Sequence, residues 1–313
     1  MNKHHHIHIN QTVLVIGGRG FIGRHIVQQL KRLGANVVIG TRNIQHVKGS
    51  HDPIRQICLH KIHDIQGWSE RLNGIDVVVN AVGILRQRHQ ETYEQVHHHA
   101  VALLAEACTK HNIRLIHISA LGLGNPIKSR FSQSKRRGEL ALISSKANWA
   151  LVRPSLVDGE NGYGAKWFRK VAKWPIYALP VNAKGVFTPI DVDDLGEAVA
   201  RIALLTATEK EENRIYELGG KQRVTLTAYL TLLRPNTMDH RALTVKVPKL
   251  LARFMSHLCD VFNVTPYSFG HYELLQHDNY PCVNRLSEIL GRDATPLGVE
   301  QETVLVEPVI SKA

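Results

Sequence analysis

The chain has 313 residues, 43% hydrophobic and 21% charged, which suits one large or two modest domains around an ample core. Its four cysteines (Cys58, Cys108, Cys259 and Cys282) have no short paired spacing, which excludes a disulfide scaffold or zinc module and points to a reducing compartment. Lys plus Arg is 39 against 27 Asp plus Glu, and the net charge of +12 favours an anionic partner: nucleotide phosphate, anionic lipid or nucleic acid.

In chain order, the opening MNKHHHIHIN (1–10) carries His4, His5, His6 and His8. Four imidazoles can chelate a divalent ion, but the stretch reads as a flexible tail or tag-like scar and is left out of the site. No apolar h-region follows and no apolar run approaches the ~18 residues of a membrane span, so a cytoplasmic chain without a transmembrane segment is expected. TVLVIGG (12–18) is a strand, and FIGRHIVQQLKRLG is a helix with Ile22, Ile26, Leu30 and Leu33 at helical spacing before Gly34. ANVVIGTRN and IDVVVNAVG (75–83) are strands, the latter apolar on both faces. YEQVHHHAVALLAEACTKHN is a helix. Its three adjacent histidines, His97, His98 and His99, point in different directions and cannot converge on one metal.

IRLIHISALG (113–122) is a strand, KSRFSQSKRRGELALISSK a helix and WALVRPSLV (149–157) a strand. Strands alternating with helices predict an α/β fold, a Rossmann-type doubly wound parallel sheet. After residue 157 the regularity fades: GENGYG is a loop, a helix starts near Asp193, and RIYELGG (214–220) is one more strand. The expected organisation is a dinucleotide-binding core over 11–157, joined by 182–220, with 158–181 and 221–313 forming a smaller C-terminal region. Within the latter, Leu250, Leu251, Phe254, Met255, Leu258, Val261 and Phe262 share one helical stripe. Either the stripe packs on its own domain, or, with Lys249, Arg253 and His257 off it, it serves a partner or membrane surface.

VIGGRGFIGRHI carries the main chemical signal. Gly17, Gly20 and Gly23 give GxxGxxG, and Gly18, Gly20 and Gly23 also satisfy GxGxxG. Between a strand and a helix, such glycines let backbone N–H groups approach a pyrophosphate at the helix's positive end. Gly17, Gly18, Arg19, Gly20, Phe21, Ile22 and Gly23 are therefore cofactor candidates. An NAD site places Asp or Glu after the second strand; here Thr41 and Arg42 stand there, and Arg19 lies in the glycine loop. Two guanidiniums clasp a 2′-phosphate, so NADP(H) is favoured and NAD(H) remains an alternative. Asp64 and Ile65 are candidates for the adenine edge, with a surface turn as the other reading. Asn80, Ala81, Val82 and Gly83 end a strand at the sheet's carboxyl edge, where cofactors lie.

These segments, with HISALG, FSQSK, RPSLV, FTPIDVDDL and YELGG, occur in the order seen in atypical and extended short-chain dehydrogenase/reductases. More narrowly, VHHHA, LIHISALG and HYELLQHDNYPCVN (271–284) resemble the branch containing the NAD(P)H-binding accessory subunit of respiratory complex I and its stand-alone bacterial relatives. The resemblance implies that Ser119 matches the serine that bonds a substrate oxygen and Lys135 the lysine that binds the nicotinamide ribose. It places Phe131 where catalytic members carry a tyrosine, and Arg153, Pro154 and Ser155 at the nicotinamide end. A phenyl ring has no proton to give, so the departure removes the acid and leaves cofactor binding intact. Ser132 and Ser134 are expected to point away from the 131/135 face. No metal is expected: Asp193 and Asp194, beside Asp191, read as N-cap and first-turn carboxylates.

Three functions follow. The first is a protein holding NADP(H) as a structural or sensing group within a respiratory or redox assembly, peripheral to the inner membrane. The second is an active NADPH-dependent quinone or carbonyl reductase with water or Tyr163 as proton source. The third is an RNA-binding member, disfavoured because no basic stripe is interleaved with aromatics, which make up only 6%.

Overall fold

The β-branched runs of the first half are the strands of a parallel sheet, and its central strands are largely apolar because helices cover both faces. The computed structural model describes residues 10–44, 52–87, 91–124, 127–205, 214–235, 242–262 and 269–297. His4, His5, His6 and His8 lie outside the described residues. The first half comprises β1 (Thr12–Ile16), α1 (Phe21–Arg32), β2 (Asn36–Thr41), β3 (Ile54–Gln56), α2 (Ile65–Leu72), β4 (Val77–Asn80), α3 (Ala100–Lys110), β5 (Arg114–Ile118), α4 (Arg130–Ile143) and β6 (Trp149–Pro154). The second half adds β7 (Val157–Asp158), α5 (Tyr163–Ala172), β8 (Ile176–Pro180), β9 (Ile190–Asp191), α6 (Val192–Ala203), β10 (Arg214–Leu218) and α7 (Leu226–Leu232). It closes with β11 (Leu243–Val247), α8 (Lys249–Phe262), α9 (Phe269–Leu274) and α10 (Leu286–Leu290).

Seven strands form the main sheet in the order β10-β6-β5-β4-β1-β2-β3, each pair parallel. From β1 the chain winds outward to β2 and β3, then returns to pair β4 on the other side of β1. That reversal opens a crevice at the carboxyl ends of β1 and β4. Val13 and Val15 face the core layer under α1 and α6, whereas Leu14 and Ile16 face the layer under α2 and α3. Each such buried aliphatic stabilises the fold by about 1.5–3 kcal/mol relative to exposure. α1 and α6 approach closely because Gly196 faces the His25 backbone, where a Cβ would sit only 3.0 Å away.

A smaller apolar cluster gathers Val171, Tyr177, Phe187, Leu226, Tyr229 and Leu230 beyond the sheet. There Arg169 pairs with the Asp158 carboxylate at 2.6 and 2.8 Å, and the Tyr229 hydroxyl donates to the same group at 3.0 Å. Two further two-stranded pairs, β8–β11 and β7–β9, flank this cluster.

Several expectations needed adjusting. The segment after Asp64 forms α2, not a surface turn, because Asp64 accepts a hydrogen bond from Gly67 N–H as its N-cap while Trp68 and Leu72 are buried. The helix expected to start near Asp193 is present and runs from Val192, with Asp193 and Asp194 in its first turn as expected. Its cap is Asp191, which accepts from the backbone N–H groups of Asp193 and Asp194. Of the two alternatives for the 250–262 stripe, packing on its own domain is not what its first two turns do. Leu250 is 82% exposed and Phe254 59%, while Ala252 and Ser256 face inward. Leu258, Val261 and Phe262 fall outside the described side chains.

Candidate dinucleotide-binding site

The glycine segment turns the chain from β1 into α1. Gly17 N–H donates to the Gly40 carbonyl at 3.0 Å and Gly20 N–H to that of Gly17 at 2.8 Å. Gly17 has φ +79°, and a Cβ there would meet Val82 Cγ2 at 2.9 Å. At Gly23 a Cβ would lie 2.1 Å from the Gly17 carbonyl oxygen, so only glycine lets α1 seat on the loop. Gly20 caps α1 without a side-chain bond, and the first turn carries no acidic residue. The open N–H groups and positive helix end therefore face the crevice uncompensated, the arrangement that attracts phosphate.

A cavity of about 280 Å³ opens there. Of the sequence candidates, Gly17, Arg19, Gly20, Thr41, Arg42, Ala81, Val82 and Gly83 line it. Gly18 and Gly23 lie behind the cradle, Ile22 packs on the core, and the Phe21 ring packs against Gly159 and Gly162. Asn80 shapes the wall from within: its Oδ1 accepts from Val82 N–H at 3.2 Å and its Nδ2 meets His117 Nδ1 at 3.2 Å. Asp64 and Ile65 are not among the lining residues; Ile57 and Leu59 stand in that quarter. A second cavity of about 360 Å³, behind Leu59 among Ile62, His63, Gln95 and His99, has no glycine cradle.

Arg42 already has a partner across the cavity mouth. Its Nη1 lies 2.5 Å from Glu91 Oε2, and His60 Nδ1 lies 3.9 Å from the other carboxylate oxygen. The Arg42 carbonyl is held by the Gln56 amide at 3.1 Å and the Cys58 thiol at 3.4 Å. Glu91 drew no notice in the sequence because it sits in a polar stretch far from β2 in the chain.

The segment around Phe131 forms the other end of the site. Ser129 caps α4 by accepting from Ser132 N–H, and the buried Glu273 carboxylate of α9 accepts from the N–H groups of Lys128 and Ser129. The Phe131 ring, 6% exposed, packs edge-on against Tyr93 at 5.6 Å and His97 at 5.5 Å. Lys135 Nζ lies 5.9 Å from that ring's centroid, and a Cβ on Gly83 would meet the same nitrogen at 3.6 Å. The amine is thus beside the NAVG loop that walls the cavity.

Burial lowers the Lys135 amine to about 8, with Glu139 pulling the other way. Glu139 is itself clasped by Arg153 through three contacts of 2.6–3.2 Å. Burial, then the Lys135 charge, holds His117 at about 3, and the same two causes keep His97 well below its ordinary value. Both rings are therefore neutral at pH 7. His97 Nε2 accepts from Ile84 N–H at 3.1 Å, and its Nδ1 meets the Ser134 hydroxyl at 3.0 Å. Ser134 and Ser132 are engaged in this framework, Ser134 donating to the Phe131 carbonyl and Ser132 accepting from the Ser129 hydroxyl. The buried Ser119 hydroxyl has no hydrogen-bond partner among the described residues. Pro154 ends β6, and the Ser155 hydroxyl donates to the Asn279 carbonyl at 2.8 Å.

Three residues here escaped the sequence reading: Tyr93, His117 and Glu273. His117 stood in plain view as a polar residue inside a strand buried on both faces, a position that requires a partner. The three adjacent histidines do not converge, as expected, since His97 turns inward. Residues 95–99 form a π-turn, however, and bring His98 Nδ1 to 2.5 Å and His99 Nε2 to 3.8 Å from Glu94, which Arg137 also pairs.

Fold and cradle together define the class: an α/β protein with an NAD(P)H-binding domain. Residues 17–170 match the model of the NAD(P)H-binding family, so the chain carries a domain of that family. More particularly, it is homologous to the complex I subunit of the same kind. It is 26% identical to the mitochondrial NADH dehydrogenase [ubiquinone] 1 alpha subcomplex subunit 9 of Dictyostelium discoideum, over 85% of this chain and 76% of that protein. It is also 25% identical to a ceramide reductase of Caulobacter vibrioides, over 47% of each chain. In fold it is similar to an Escherichia coli NADPH-dependent quinone oxidoreductase solved with NADPH, with a TM-score of 0.68, 15% identity, and 91% and 96% of the two chains covered.

Proposed function

We propose that the chain binds NADP(H) as a structural or redox-sensing group and serves a larger respiratory or redox assembly. The observation that carries this reading is the packing of Phe131 against Tyr93 and His97 beside an open phosphate cradle. In this reading the N–H groups of Phe21, Ile22 and Gly23 at the α1 N-terminus hold the pyrophosphate, on a loop shaped by the internal bonds of Gly17, Gly18 and Gly20. Arg42 and Arg19 take the 2′-phosphate, Lys135 the nicotinamide ribose hydroxyls, and Ser119 offers its unpartnered hydroxyl beside the ring. When bound, the nicotinamide supplies hydride chemistry. No phenol at position 131 delivers the accompanying proton, and loss of a general acid costs ~10²–10⁴ in rate. The homology to complex I subunits supports an assembly role. Mass spectrometry of nucleotide released from purified protein, with thermal shifts in NADPH and NADH, tests it. NADPH is expected to give the larger shift; no shift with either refutes it.

A second reading, an NADPH-dependent reductase, has one observation in its favour. The half-buried Tyr93 phenol adjoins the Phe131 ring, its hydroxyl donating to the Leu85 carbonyl at 2.9 Å. Burial raises its pKa, which weakens it as an acid at neutral pH. Tyr163 is 57% exposed at the start of α5. Native NADPH turnover above ~1 s⁻¹ with a quinone or carbonyl would establish this reading and overturn the first.

A further inference from the structure

α8 presents its large apolar side chains outward and its small ones inward, the reverse of a helix packed on its own domain. Ala252 and Ser256 are 5% and 0% exposed, whereas Leu250, Leu251, Phe254 and Met255 are 82%, 51%, 59% and 48% exposed. β11 leads into this helix through the single residue Pro248, and its outer face is apolar too. Leu243 pairs with Ile176 and Val245 with Ala178, which places these four on one face of the β8–β11 pair. Tyr177, on the opposite face, fills the smaller core, and Leu243, Val245 and Ile176 are 64%, 46% and 47% exposed. Scattered single exposed apolars are ordinary; a concentration of this kind marks a surface that meets something.

The charges say what. Residues 161–190 and 242–259 contain no Asp or Glu, yet they carry the exposed cations Lys170, Lys173, Lys246, Lys249 and Arg253. Trp174, 48% exposed, lies beside Lys173. Protruding apolar side chains among cations, with an aromatic at the rim and no carboxylate before Asp260 in the last turn of α8, complement an anionic lipid headgroup layer over a hydrocarbon boundary. No helix among the described residues is long and apolar enough to cross a membrane, so such contact lies in the interfacial plane.

We propose that α8 and the outer face of β8–β11 form a docking surface for an anionic lipid bilayer. The surface is tied to the nucleotide site. α9 follows α8, the Tyr272 hydroxyl reaches the Lys249 carbonyl at 3.5 Å, and the adjacent Glu273 holds the start of α4, which bears Phe131 and Lys135. The proposal does not depend on dinucleotide binding.

The test is co-flotation of the full chain with vesicles of phosphatidylcholine alone and of phosphatidylcholine with about one third phosphatidylglycerol, across salt. Binding to the anionic vesicles at least tenfold tighter than to the neutral ones, weakening steeply with salt, is expected. Leu250→Ser with Phe254→Ser should lower it more than tenfold with an unchanged melting temperature, since both side chains face solvent. Lys246→Gln with Lys249→Gln should remove most of the preference for anionic lipid. Failure to float with either vesicle overturns the proposal. So does a dimeric mass lost in the Leu250/Phe254 variant, which would assign the face to a second copy. A dinucleotide thermal shift in the same samples reports the nucleotide site separately.

Discussion

Replacing Glu91 by Gln removes the carboxylate that closes on Arg42 while keeping its size. The pair spans the cavity mouth at 2.5 Å, with the Glu91 side chain 17% exposed and that of Arg42 65% exposed. A 2′-phosphate that takes Arg42 must first break this pair, which at such exposure contributes about 1 kcal/mol. It must also approach the freed carboxylate, a like-charge contact of about 1 kcal/mol at ~4 Å in water. Removing both penalties corresponds to about a tenfold gain or more in NADPH affinity, because 1.4 kcal/mol is a factor of ten. NADH has a ribose 2′-hydroxyl that can donate to Glu91, so its affinity should stay level or fall severalfold. Calorimetric titration of wild type and Glu91→Gln with both nucleotides measures the ratio directly. An NADPH-to-NADH ratio unchanged within about twofold would refute the competition, and absence of binding by the wild type would refute the cofactor reading itself.

Gly23→Ala should abolish dinucleotide thermal shifts and lower stability by several kcal/mol, because its Cβ would lie 2.1 Å from the Gly17 carbonyl; a retained shift in scanning fluorimetry would contradict the cradle. Glu273→Gln keeps one neutral acceptor oxygen for the two N–H groups at the start of α4 and turns an NH2 donor toward the other, so a loss of about 1–3 kcal/mol in urea unfolding is expected. Lys135→Met should raise the melting temperature of the nucleotide-free protein at pH 7 while weakening dinucleotide binding. Folding lowers this amine from its ordinary 10.5 to about 8, so the burial cost is fully present below pH 8 and is released as pH rises toward 10.5. The advantage of the variant should therefore vanish across that window, and a pH-independent difference would sink the argument. Phe131→Tyr places a phenol beside Lys135; NADPH consumption at least tenfold above wild type is expected if the rest of the machinery is in place, and no gain would mean it is not.

The dinucleotide half of the fold was legible because two simple periodicities dominate it. Val77–Asn80 reads as a strand from composition alone, and Ile26 and Leu30 announce the buried face of α1. The glycine cradle was legible for a related reason: it is local, and each glycine answers a contact within a few residues or across one strand pair. What escaped is non-local. Asp64 looks like an adenine ligand in the chain but is spent on capping α2, while Leu59 takes the cavity wall. Glu91 reaches Arg42 from 49 residues away, and Glu273 reaches Ser129 from 144. Such pairings depend on which loops the sheet order brings together, and no spacing rule encodes them. For α8 the sequence left two readings open for a different reason. Its stripe has the period of a core-facing helix, and periodicity cannot tell a core from any other apolar medium.

The position of Lys135 bears on why a site without its phenol is still built. The shift of its amine to about 8 corresponds to roughly 3 kcal/mol set against the ammonium in the nucleotide-free protein. Glu139 offsets only part of that cost, since it is clasped by Arg153, and the neighbouring His97 and His117 are neutral at pH 7. An apolar residue of the same length would pack there at lower cost. The amine would become favourable once hydroxyl groups accept its hydrogen bonds, and in the proposed reading the nicotinamide ribose would present such groups. The same ligand would bring a partner to the unsatisfied Ser119 hydroxyl. If the dinucleotide sits as proposed, its binding would relieve two buried polar defects at once, and the stabilisation it confers should exceed that expected from the phosphate contacts alone. Phe131 contributes nothing to this exchange except shape, filling the space between Tyr93, His97 and Lys135. A cofactor held this way strengthens the fold whether or not it ever transfers a hydride.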